Sequence, residues 1–168
     1  MSGRRTGRAL LAGGLLLSTL LAAGCGVRPS DVITGRSAVS GPAQGFGLYL
    51  VAQGDIVLVV RPARAVPDTA TILALLAAGP AENERRQGFT SEVPAGFDPV
   101  TVTPTADQTD GVTVRTATAA RALSVNAVHQ IVCTAADAAA RTGLATSTGP
   151  VTIVGPDGAR PPRRCPIR

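Results

Sequence analysis

The hydropathy pattern of this 168-residue chain predicts an α+β domain, a mostly antiparallel sheet of about five strands with two helices on one face. Three observations carry that expectation. Two runs of β-branched and aromatic residues, Phe46 to Val51 and Ile56 to Arg61, flank a short polar turn. Two stretches repeat apolar residues at helical spacing, around Ile72 and around Ile131. Alternating runs at Val100, Val112 and Val151 complete the order β-β-α-β-β-α-β.

The first two runs surround Gln53-Gly54-Asp55 and read as a hairpin. Apolar residues occupy both faces of the second run, which predicts an interior position for it. Pro67-Asp68 offers a helix cap, after which Ile72, Leu73, Leu75 and Leu76 form an apolar stripe that stops at Gly79-Pro80. Pro80 opens a short helical turn from Ala81 to Gln87. There Glu82 and Glu84 come early and Arg85 and Arg86 late, as the helix dipole favours. Val100 to Thr103 and Val112 to Arg115 form a second strand pair, joined through Asp107 to Gly111. The longest helical stretch, Leu123 to Arg141, places Val128, Ile131, Val132, Ala135 and Ala139 on one face, with Gly143 just beyond its end. A last strand, Val151 to Val154, precedes the turn Gly155-Pro156-Asp157-Gly158.

Upstream of this domain, Arg4, Arg5 and Arg8 precede an apolar run that ends in Leu21-Ala22-Ala23-Gly24-Cys25. Charged, apolar and small-residue zones in that order make an export signal. Ala23-Gly24-Cys25 resembles a bacterial lipobox, with Leu21 one place before the position where leucine is commonest. The expected organisation is a signal peptide over 1–24 and a lipidated Cys25 with a flexible linker over 25–45. The domain follows over 46–155 and a basic tail over 156–168. Two acyl chains on Cys25 suffice for stable anchoring at about 0.8 kcal/mol per buried methylene. The Gly-, Ser- and Pro-containing linker reaches roughly 25 Å. The expected location is the outer face of the cell membrane.

A formal charge of +5 has the look of a nucleic-acid binder until the charges are placed. Three of the sixteen basic residues lie in the signal and all eleven acidic ones follow it, which brings the remainder close to neutrality. Arg160, Arg163, Arg164 and Arg168 crowd the end of the chain, so no basic face is expected on the body and no nucleic-acid partner. That tail reads as solvated. Aromatic residues make up 2% of the sequence, which disfavours ligands recognised by stacking.

Leu75-Leu76-Ala77-Ala78-Gly79-Pro80, then Glu84, then Gly88-Phe89-Thr90-Ser91-Glu92-Val93-Pro94, resembles the central signature of the GerMN domain of sporulation, germination and actinobacterial surface proteins. Tyr49-Leu50-Val51 with Val59-Val60-Arg61 is similar to that family's opening hairpin, and Ala127 to Val132 to its second helix. The chain departs from the family at Arg115-Thr116, where an acidic residue is common, and at Cys133, where a bulky one is. The resemblance implies a compact α/β module used for protein contacts, with no established catalytic site and no cofactor.

His129 and Cys133 share a helix face, yet zinc takes three or four protein ligands and no others accompany them, so no metal site is expected. With Cys25 taken by lipid in an oxidising compartment, Cys133 and Cys165 remain to form a disulfide. No Gly-x-Ser-x-Gly elbow occurs. Asp68 and Asp137 read as capping and helix-surface residues. No catalytic residue is expected. The functional expectation is a non-enzymatic membrane-anchored lipoprotein that meets an envelope protein or further copies of itself. The alternative is a module that binds peptidoglycan or another wall polymer, or an envelope hydrolase.

Overall fold

The computed structural model describes residues 45–105 and 110–167. Their fold is mixed α+β, with three helices and two sheets. Strands β1 (Gly45–Ala52) and β2 (Asp55–Pro62) form an antiparallel pair. The second sheet runs in the order β3 (Val100–Pro104), β4 (Val112–Thr116), β5 (Val151–Gly155) and β6 (Gly158–Ala159). The helices are α1 (Thr69–Ala77), α2 (Glu82–Arg86) and α3 (Val125–Arg141).

Local chemistry explains the first hairpin and the ends of the two longer helices. Gln53 and Gly54 both take positive φ, 53° and 91°, the pair of values that a two-residue hairpin turn requires. The Asp68 side chain accepts the Thr71 N–H at 2.9 Å and starts α1, whose Ile72, Leu73 and Leu76 are fully buried. Ser124 caps α3 in the same way through the Ala127 N–H. At the other end of α3, Gly143 takes φ 72° and the Leu144 N–H returns to the Ala139 carbonyl at 2.8 Å, closing the helix. Helix α3 lies in the crossover between the parallel strands β4 and β5. It packs against α1, β1, β4 and β5 and is buried around most of its circumference.

The single five-stranded sheet expected from the pattern is replaced by six strands in two sheets. The reason lies at the edge of β1 that faces away from β2. There the Tyr49 N–H donates to Thr134 Oγ1 at 3.1 Å, and Gln130 Nε2 donates to the Tyr49 carbonyl at 2.9 Å. Val51 exchanges two backbone bonds with Thr90. With the outward groups of Tyr49 and Val51 taken by side chains of α3 and one bridging residue, these two positions have no donor or acceptor left for another strand.

The interior position expected for β2 is likewise corrected. β2 pairs with β1 alone, and Val57, Leu58 and Val60 are exposed. The tail differs from its solvated reading too. Gly158–Ala159 pairs with β5, and Arg163 exchanges backbone bonds with Val151 at 2.7 and 3.0 Å.

Candidate functional site

Beside the outer edge of β2 lies an open groove of about 550 Å3. Leu58, Val59, Val60 and Arg61 form one wall, Asn83 and Glu84 of α2 with Gln87 just past its end form the other, and Phe89 contributes to the lining. The two walls are tied together by an ion pair. Arg61 donates through Nε to Glu84 Oε1 at 2.9 Å and through Nη2 to Glu84 Oε2 at 2.6 Å, and Nη2 also reaches the Gly79 carbonyl at 3.2 Å. Glu84 Oε2 further accepts the Ala81 N–H, satisfying a donor at the start of α2. The Arg61 hydrogen bonds hold the buried Glu84 carboxyl below its ordinary pKa, against the opposing effect of burial.

A second cleft, of about 470 Å3, sits over the Cys133–Cys165 disulfide. Tyr49, Asp137, Ser147, Thr148, Arg164 and Ile167 line it with the two half-cystines. Gly47 lets Asp137 approach β1, since a Cβ at that position would stand 3.0 Å from Asp137 Oδ2. Asp137 accepts from Arg141 Nε at 2.8 Å, and this bond raises the arginine pKa. Burial raises the Tyr49 phenol, and the Asp137 charge adds to it. Arg164 donates to the Thr148 carbonyl across the mouth. Among the described residues lining the cleft there is no histidine.

The structure joins Cys133 to Cys165, with their Cα atoms 4.6 Å apart. His129 is half-buried on α3, and its neighbour Cys133 is consumed by the disulfide. Among the described residues no group of three or more His, Cys, Asp or Glu stands together as a metal site. Asp68 caps α1, and Asp137 pairs with Arg141 one turn later. Cys25 and the signal lie outside the described residues, and no described helix is long and apolar enough to cross a membrane.

No family model, curated protein or solved structure matches this chain.

Two structural ties give no signal in the sequence. Asp157 belongs to a turn signal, yet its carboxylate accepts the Ala120 and Arg121 N–H groups at 2.7 and 2.8 Å. Arg160 belongs to the basic tail, yet Nη1 donates to the Ala120 and Leu123 carbonyls. Together they fasten the tail to the turn that leads into α3. The Arg61 to Glu84 bond had a partial signal, because both residues stand in the segments that resemble GerMN.

Proposed function

We propose that this chain is a non-enzymatic surface lipoprotein, anchored to the membrane through Cys25, whose GerMN-like domain over 46–155 makes protein contacts in envelope assembly or signalling. In this reading α1 and α3 form the helical layer of the domain, and their packing on each other and on β1 supports it. The observation that carries the proposal is the outer edge of β2. It presents exposed Val57, Leu58 and Val60 beside a groove, with charge and proline confined to its ends at Asp55, Arg61 and Pro62. A strand edge of this kind is completed by another polypeptide through main-chain bonds and alternating side chains.

The test is photo-crosslinking on intact cells, with the photoreactive residue at Val60 in one strain and at exposed Thr101 of β3 in another. Reproducible protein adducts from position 60, whether to an envelope protein or to the chain itself, and none from position 101, support the proposal. Peptidoglycan fragments as the only adduct overturn it.

The cleft over the disulfide favours a second reading, a wall-polymer ligand site. It offers a carboxylate, hydroxyls and a guanidinium in one concave lining. Sedimentation of the protein with isolated peptidoglycan, compared with an Asp137→Asn variant, tests it; equal and negligible co-sedimentation would sink that reading.

A further inference from the structure

The unpaired edge of β2 has a definite hydrogen-bonding register. In an antiparallel pair, residues opposite one another alternate between bonding to each other and pointing their N–H and C=O groups outward. Tyr49 and Val51 point away from β2, because they bond to Thr134, Gln130 and Thr90. Their partners across the ladder are Leu58 and Ile56, and the next alternate position pairs Gly47 with Val60. Ile56, Leu58 and Val60 therefore point their N–H and C=O groups away from β1, and no other described residue bonds to them. Leu58 is 42% exposed and Val60 53%.

The sequence of this edge is self-complementary about Leu58. When a second β2 is laid antiparallel with Leu58 opposite Leu58, Ile56 faces Val60 and Val57 faces Val59. Asp55 then faces Arg61 at both ends. All three outward-pointing residues fall opposite one another, which is the bonding register. The charged ends meet with opposite sign; any in-phase slip, by two residues, breaks that match. Asp55 makes no ion pair within the described chain, and Arg61 keeps Nη1 unused after its bonds to Glu84 and Gly79. Cross-strand pairs of β-branched and aliphatic residues stabilise such a ladder.

We infer that two copies of this chain associate through β2, joining their hairpins into one four-stranded antiparallel sheet with a two-fold axis at Leu58. The inference rests on the protein-contact reading and names its partner as a second copy. A symmetric, isologous contact closes at two subunits and leaves no further β2 edge to recruit a third.

The experiment is sedimentation velocity on the full-length lipidated chain in detergent, with the bound detergent mass subtracted. Two variants accompany it. Leu58→Pro removes an N–H that is unpaired in the single chain and needed in the pair. Val60→Lys places a charge in the seam while leaving an exposed position exposed. Far-UV circular dichroism and the absence of free thiols establish that each variant is folded. The expected result is twice the chain mass for the parent, with at least a tenfold weaker association in whichever variants are folded. A parent of single-chain mass at tens of micromolar overturns the inference. So does a dimer that both folded variants leave unchanged. If the parent is a single chain while position 60 still crosslinks to a different envelope protein, the second copy is refuted and the protein-contact reading stands.

Discussion

The Arg61 guanidinium and the Glu84 carboxylate meet in a two-point ion pair at 2.9 and 2.6 Å, with 20% and 7% of their side chains exposed. This contact connects the end of β2 to the first turn of α2. A helix of five residues has little intrinsic stability, so its position depends on such a tie. Glu84→Ala would leave the arginine without its counter-ion and the Ala81 N–H without its acceptor. The expected loss is about 3 kcal/mol of unfolding free energy, read from urea denaturation. Arg61→Lys should recover only part of the parent stability, because an ammonium lacks the planar two-point fork. An unchanged midpoint for Glu84→Ala would show that the pair carries no net stability.

The same pair sets an acid limit. Arginine hydrogen bonds depress the native Glu84 pKa below its ordinary 4.5, so the unfolded chain binds a proton at higher pH than the folded one. The resulting stability is fully present above 4.5 and is lost as pH falls through the lowered native value. Glu92, held by Ser124 and Asn126, and Asp68, held by Thr71, shift in the same direction. Unfolding free energy should therefore decline with acidification below pH 4.5, and Glu84→Gln should decline less steeply from a lower starting stability. Parallel slopes for parent and variant would assign the acid loss to other groups.

Elements set by neighbours in sequence are legible in the sequence itself. The Asp68 cap, the stripe of Ile72, Leu73 and Leu76, and the halt of α3 near Gly143 depend on residues within a turn or two, and pattern reads such chemistry directly. Sheet assembly depends on distant partners. The edge of β1 is closed by Gln130, separated from Tyr49 by 81 residues, and a polar residue within an apolar helical stripe gives no hint of the strand it serves. The composition of β2 predicts an interior strand, because strands covered on both sides and strands with an apolar open edge share one composition. Charge alone assigns the tail arginines to solvent, whereas Arg160 acts through the geometry of its donors on the Ala120 and Leu123 carbonyls.

Gln130 is fully buried, donates to the Tyr49 carbonyl and accepts the Glu92 N–H at 2.8 Å. Gln130→Leu keeps the approximate volume and strands both backbone groups, at a cost of about 1 to 3 kcal/mol for a buried unsatisfied group. Thr134→Val removes the acceptor for the Tyr49 N–H. Hydrogen exchange at the Tyr49 amide should accelerate in Thr134→Val more than at Leu50, whose N–H faces β2. Equal acceleration at both amides would indicate global destabilisation and count against an edge-closing role.

Anchoring has a direct chemical readout. Metabolic labelling with an alkyne fatty acid should mark the parent and fail to mark Cys25→Ala, and the variant should leave the membrane fraction. Retention of label in Cys25→Ala would refute lipidation at that residue. Retention in the membrane without label would assign anchoring to the apolar run that precedes it.

The disulfide closes a loop with a sequence separation of 32, for which the chain-entropy account gives about 3 to 4 kcal/mol. Cys165→Ser is the informative variant, since Cys133 is buried in α3 and its replacement would disturb the core as well. The tail has other attachments in the Arg163 bonds to Val151 and the Arg160 bonds near α3, so the native state of Cys165→Ser should keep β6 in place. The loss should then arise from a freer denatured chain, and the denaturation midpoint should fall while the folded-state circular dichroism stays the same. Reduction of the parent should produce the same midpoint as the substitution. A much larger loss, accompanied by rapid exchange at Val151 and Arg163, would show that the bond holds the tail in the native state and that the hydrogen bonds alone are insufficient.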